Sequence, residues 1–265
     1  MEKSLQNSNT TLSIQLPRYR TFFQIGILLV SFFSSNTVVA QQEIVAKAIE
    51  VSGTAKLKNA EASFSFRDHN YKYRKNNGRF EYTRTGKKLD GTEIRDIYTN
   101  AGLNRYVADT LVNLTEKRKN AYTNSVNSVI YFAFLPLWLN DPAVIIENMG
   151  RSSIKNKEYH KIRVTFRQEG GGDDFEDVFL YWFDVSDYSM DYLAYKYFTG
   201  KGGMRFREAY NQRMINGVLI QDYRNLKPRI KGSFPFEEIE KAYEKDELEK
   251  LSTIELKNVK IEFIP

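Results

Sequence analysis

The stretch Gln168–Trp182 reads QEGGGDDFEDVFLYW and sets three glycines beside five carboxylates, Glu169, Asp173, Asp174, Glu176 and Asp177. Such material serves phosphate cradling, cation binding or acid–base catalysis. A phosphate loop needs G-x-x-x-x-G-K-[ST]; no such Lys follows here, and the acids would repel a phosphate. Clustered carboxylates suit a hard cation, and Asp173, Asp174 and Glu176 are the metal ligands this stretch could offer. The EF-hand spacing is absent, however, and strand alternation sends Glu176 and Asp177 to opposite faces. Three readings stay open: an acidic hairpin tip, a calcium loop, or a loop that touches a ligand at a cavity mouth.

The chain has two histidines, His69 and His160, and no cysteine. No H-E-x-x-H or G-x-S-x-G occurs. The catalytic set on offer is His160 with Asp173, Asp174 and Glu208, an acid–base arrangement for a small or lipid substrate. Without cysteine there is no thiolate nucleophile, no Cys-ligated zinc and no lipobox, so the chain is not expected to be a lipoprotein. No cofactor is called for. In RFREAYNQR, Arg205, Arg207, Ala209, Asn211 and Arg213 share one face of a strand, opposite Met204, Phe206, Glu208, Tyr210 and Gln212. The arginine face is either solvated or a patch for an anionic head group or membrane surface.

A helix is expected over RKNAYTNSVNSVIYFAFLPLWLND, where Tyr122, Val126, Val129, Ile130, Ala133, Phe134 and Leu137 recur at helical spacing. Past Val129 it is apolar almost all round, so the fold must enclose it. It forms either a plain core helix or one wall of a cavity. In the second case Tyr122, Val126, Asn127, Ile130 and Phe134, with Phe206 and Tyr210 from the strand, bind the ligand, and Asn127 or Ser128 orients its polar end.

The elements that must position these residues are mostly strands. Period-2 alternation runs through ASFSFRD, GRFEYTRTG, TEIRDIYTNAGLNRYVADTLVNL, YHKIRVTFRQ, FEDVFLYWF, DYLAYKYF, MRFREAYNQRMI, VLIQDYRNL and TIELKNVKIEF. In YHKIRVTFRQ the alternation places Ile162, Val164 and Phe166 inside, and Lys161 and Arg163 outside. Asn216-Gly217 is a hairpin signal. A short helix opens this region at EIVAKAIEVSG, with Ile44, Ala48 and Val51 on one face, and a late helix is expected over SFPFEEIEKAYEKDELEKL. The class is α+β: a large curved antiparallel sheet of about nine to eleven strands, a half-barrel wrapping a buried helix.

Before residue 41, Lys3, Arg18 and Arg20 precede the uncharged run Thr21–Phe33 and a small-residue site ending at Ala40. That order is the layout of a signal peptide, so residues 1–40 are expected to be cleaved, leaving one domain over 41–265 in the periplasm or outside the cell. The net charge of +6 is dispersed; with export it gives no reason to expect nucleic acid as a partner.

AYTNSVNSVIYFAFLP, YHKIRVTFRQEGGGDDFEDVFLYW, DYLAYKY and GGMRFREAYNQR resemble a family of uncharacterised secreted proteins of Gram-negative bacteria, over roughly Glu43–Leu226. Some members carry the label deoxyribose-phosphate aldolase. That activity belongs to a β/α barrel with a Schiff-base lysine, and the alternating βα pattern is missing here. The order of elements is similar to the outer-membrane lipoprotein carriers (LolA-like), whose curved sheet encloses a cavity for acyl chains. The resemblance implies a non-catalytic envelope protein that binds or carries a hydrophobic or lipid-like ligand. The envelope enzyme and a structural interaction module built on the arginine face are the alternatives.

Overall fold

The structure, a computed structural model, describes residues 41–170, 172 and 174–265. The expected signal peptide and Asp173 lie outside them. Helix α1 covers 41–51, buries Ile44, Val45, Ala48 and Ile49, and ends where Gly53 turns left-handed at φ 65°. Val51, expected on the buried face, is exposed instead, because the apolar stripe runs through the i, i+1, i+4, i+5 positions.

Among the described residues fourteen strands follow, in two sheets of seven, and every pairing is antiparallel. Sheet A holds β1 (Ala60–Phe66), β2 (His69–Asn76), β3 (Arg79–Lys87), β4 (Glu93–Thr99), β5 (Gly102–Val107) and β6 (Thr110–Val112) in chain order. Helix α2 (Glu116–Ala133) leads into sheet B: β7 (Val144–Ile154), β8 (Lys157–Phe166), β9 (Val178–Asp184), β10 (Met190–Tyr197), β11 (Gly203–Ile215) and β12 (Val218–Pro228). After helix α3 (Ile239–Glu244), β13 (Leu248–Ile254) completes sheet B beside β12, and β14 (Lys257–Phe263) crosses to pair with β1. Asp222 fixes that crossing: its Oδ1 accepts the Leu256 N–H at 2.9 Å, and Arg213 bridges Asp222 and the Leu256 carbonyl.

The α+β class with open antiparallel sheets is as the alternation requires. The strand count exceeds nine to eleven for local reasons. His69–Asn76 looks polar because only Tyr71 and Tyr73 face inward. Val144–Ile154 is a mostly exposed edge strand with a bulge at Asn148–Arg151. The late helix stops at Glu244, because Asp246 adopts a left-handed φ of 57° and the chain re-enters a sheet at Leu248.

Sheet B is covered on both faces, which decides much of the site. Along β9, Phe179, Tyr181 and Phe183 pack with α1, while Leu180 and Trp182 pack with α3 and Phe236. The second face buries Lys161, expected outside: its ammonium pairs with Glu240 of α3 and sits 5.4 Å from the Trp182 ring centre. Helix α2 bridges the layers. Val126, Ile130 and Phe134 insert among the tyrosines of sheet A, and Tyr131 and Phe132 lie against sheet B.

The Asn216-Gly217 turn forms as expected, with φ of 48° and 73°. Gly53 packs directly on it: a Cβ there would lie 2.0 Å from the Gly217 carbonyl oxygen. Gly53→Ala should therefore cost about 1–3 kcal/mol in urea unfolding, from left-handed strain and this backbone clash.

Candidate functional site

A half-open cavity of about 700 Å³ lies between α2 and the inner face of sheet B. Three walls form it. Asn120, Thr123, Asn124 and Asn127 recur at i, i+3, i+4 and i+7 along α2 and give that wall a polar stripe. Phe132, Phe179, Tyr195 and Tyr223 make an aromatic floor, with Phe132 and Tyr195 ring centres 5.2 Å apart. The β8–β9 loop supplies Gly172, Asp174 and Asp177 at the rim.

β11 aims two arginines into this space. Alternation turns Phe206 toward Trp182 and Tyr243 on the outer face, so Arg205 and Arg207 face inward. Arg205 donates to Tyr197 Oη at 2.9 Å and to its neighbour's carbonyl at 2.7 Å. Arg207 is only 7 % exposed, its guanidinium carbon 3.8 Å from the Phe132 ring centre, and its Nη2 donates to Tyr195 Oη at 3.2 Å. Across the strand pair, Asn225 stands opposite Arg207 and also lines the cavity.

The glycine stretch connects the antiparallel strands β8 and β9, and Gly172, Asp174 and Asp177 from it stand at the cavity rim. Asp177 accepts the Phe198 N–H at 3.3 Å; burial, then the neighbouring Asp174, pushes its carboxyl up to about 6. A carboxyl raised above its unfolded value contributes stability that is fully present below that value and lost as pH rises through the folded one. Asp177→Asn should therefore remove a loss of thermal stability that the wild type shows between about pH 4 and 6. Melting curves across that range check it.

Residues 19–256 match the Family of unknown function (DUF6503). The chain belongs to this family. No curated protein matches it in sequence. Among solved structures, DUF6503 as represented by this chain is similar to a LolA superfamily protein of Nitrosomonas europaea, at 10 % identity and a TM-score of 0.45, covering 85 % of this chain and 94 % of that one. A DUF1329 family protein of Desulfovibrio piger gives 10 % identity and a TM-score of 0.39, covering 83 % and 92 %. A putative outer membrane lipoprotein-sorting protein domain of Vibrio parahaemolyticus gives 8 % and 0.35, covering 83 % and 93 %. At these scores the likeness carries no functional argument, and the site is read from its own geometry.

That geometry rearranges the residues singled out by sequence. Of the expected ligand-binding set, Asn127 stands on the cavity wall. Tyr122, Val126, Ile130 and Phe134 turn instead toward sheet A. Phe206 lies under α3 on the opposite face of β11, and Tyr210, bonded to Glu255, shares that side. The expectation put apolar residues inward and arginines outward; with both faces of sheet B covered, the apolar residues of β11 fill the outer core and the arginines enter the inner cavity.

The described members of the expected catalytic set, His160, Asp174 and Glu208, do not converge. His160 stacks on Tyr188, ring centres 5.7 Å apart, in a separate hollow beside α1, where burial and then Arg151 hold its pKa below the ordinary value. Glu208 pairs with Lys155 at 2.8 Å and Arg224 at 3.2 Å on the outer face. Asp174 stays at the cavity rim. Among the described residues no group of three or more His, Cys, Asp or Glu is arranged to hold a metal ion.

Phe132, Phe179, Tyr195 and Tyr223 are among the cavity residues that sequence reading missed, whereas Arg205 and Arg207 were singled out as an arginine face but not placed inside a cavity. Ala209, on the arginines' own face, is the one local sign that this face is partly enclosed; the cross-strand neighbours become visible only with the register.

Proposed function

We propose that this protein is an exported, non-catalytic binder or carrier that shelters a hydrophobic or lipid-like ligand in the cell envelope. The carrying observation is the half-open cavity of about 700 Å³ with an aromatic floor and a polar helix wall. Its size falls in the range of small-molecule sites, about 300–1,000 Å³, and its mixture of broad apolar contact with few polar groups is what such a ligand needs. Export rests on the N-terminal charge and apolar pattern. Transient contact with an anionic membrane surface would deliver the ligand, helped by the net charge of +4 that residues 41–265 keep once Glu2, Lys3, Arg18 and Arg20 are cleaved away.

Phenylnaphthylamine, a neutral apolar fluorophore, tests the cavity directly. The wild type should bind it with a blue-shifted emission. Asn127→Trp, which places an indole against the cavity, should weaken binding by about tenfold, the loss of roughly 1.4 kcal/mol of contact. Native mass spectrometry of protein from its own envelope should show an apolar adduct. Absence of both fluorophore binding and adduct sinks the reading.

A further inference from the structure

The Arg207 guanidinium is more than nine-tenths buried, and its Nε and Nη1 have no hydrogen-bond partner. It lines the cavity, and none of the ion pairs among the described residues includes it. A guanidinium always carries its charge and presents its donors in a planar fork. Burying such a group without an anion is costly. The Phe132 and Tyr195 rings, 3.8 Å and 5.2 Å from the guanidinium carbon, offset part of that cost by attraction to their π faces. They leave Nε and Nη1 unanswered, while Nη2 donates to Tyr195 Oη. The other buried arginine among the described residues, Arg84, differs: together with the partly buried Arg105 it binds Asp96.

A second buried polar atom without a partner lies across the strand pair. Asn225 Oδ1 has none, while its Nδ2 donates to Ser252 Oγ at 3.1 Å. Donors and an acceptor thus stand side by side on the wall of an otherwise aromatic floor.

We infer that the cavity takes an anionic amphiphile, its carboxylate or phosphate head held by the Arg207 fork inside the cavity and its chain lying on the aromatic floor. Asn225 Oδ1 then accepts from a hydroxyl or amide N–H next to the acid group. The head group is bound inward, where charge-assisted hydrogen bonds act in a low dielectric. This inference rests on the carrier reading and sharpens it from apolar ligand to acidic amphiphile.

Three probes with the same chain separate the two: dodecanoate, dodecyl phosphate and dodecanol, each displacing phenylnaphthylamine from the full mature chain. Both acids should bind about tenfold to a hundredfold tighter than the alcohol, as a charge-assisted hydrogen bond allows. Whichever acid is tighter assigns the head as carboxylate or phosphate. In Arg207→Met and Arg207→Gln the preference for acid over alcohol, read as a ratio of affinities within each variant, should collapse, and Arg207→Lys should keep part of it. Arg207→Lys preserves a buried cation, so it serves as the reading where the other variants fail to fold. Equal binding of alcohol and acids, or an acid preference that survives loss of Arg207, overturns the inference and leaves the carrier reading intact. Failure of every probe to displace a bound fluorophore also overturns the inference; failure of the fluorophore itself to bind, with no adduct in native mass spectrometry, removes the carrier reading as well.

Discussion

Asp96→Ala is expected to cost about 3–5 kcal/mol, a large fraction of the 5–15 kcal/mol that holds a typical domain folded. The Asp96 carboxylate is buried under sheet A and binds two guanidiniums: Arg84 through Nη2 at 2.6 Å and Arg105 through Nε at 2.6 Å. Both reach onward to α2. Arg84 Nη1 donates to Ser125 Oγ at 2.6 Å, and the Arg105 guanidinium carbon lies 3.3 Å from the Tyr122 ring centre. Removing the carboxylate leaves two buried cations facing each other, which is far worse than losing one ion pair at the surface. Burial raises the pKa of Asp96, but the hydrogen bonds and charges of Arg105 and Arg84 outweigh it and hold the carboxyl below the usual value. Its contribution is therefore present above the unfolded carboxylate pKa and lost as pH falls through the depressed one. Urea unfolding at neutral pH should show the full difference, and the gap between wild type and variant should narrow toward strong acid. A loss under about 1 kcal/mol at neutral pH would mean the cluster does not hold α2.

That cluster shows why some of the fold was legible in the sequence and some was not. Alternation identified β1, β3 and β8 to β12, because each has one face of large apolar residues. It missed β2 and β7, whose outward residues are strongly polar, and it overextended the helix past Asp246. For charged residues the alternation rule assumes one wet face. Sheet B has none over much of its area: Lys161 is buried beneath α3 and Arg207 points into the cavity. Asp96 has the same character in sheet A, since its neighbours Arg84 and Arg105 are set by strand register. The candidate site was legible at Asn127 and at the glycine loop, where helix spacing and turn chemistry are local. The aromatic floor joins β9, β10 and β12 with the end of α2, and only tertiary pairing places them together.

Phe134→Ala tests that division between core and site on a residue whose sequence position fits both. Phe134 is fully buried at the end of α2, with ring centres 4.9 Å from Tyr73 and 5.9 Å from Phe64. The substitution removes a ring from a packed aromatic cluster that has little room to collapse, so it should cost about 3–5 kcal/mol. The ring points into sheet A and not into the cavity. At a temperature where the variant is folded, phenylnaphthylamine affinity should therefore stay within about threefold of the wild type, under 1 kcal/mol. Asn127→Trp should give the opposite pattern, weak binding with nearly unchanged urea stability, because Asn127 is exposed on the helix surface. A Phe134→Ala variant that keeps its stability but loses the fluorophore would place the ring on the ligand's side of the helix. It would also reverse the assignment of α2's two faces on which the cavity stands.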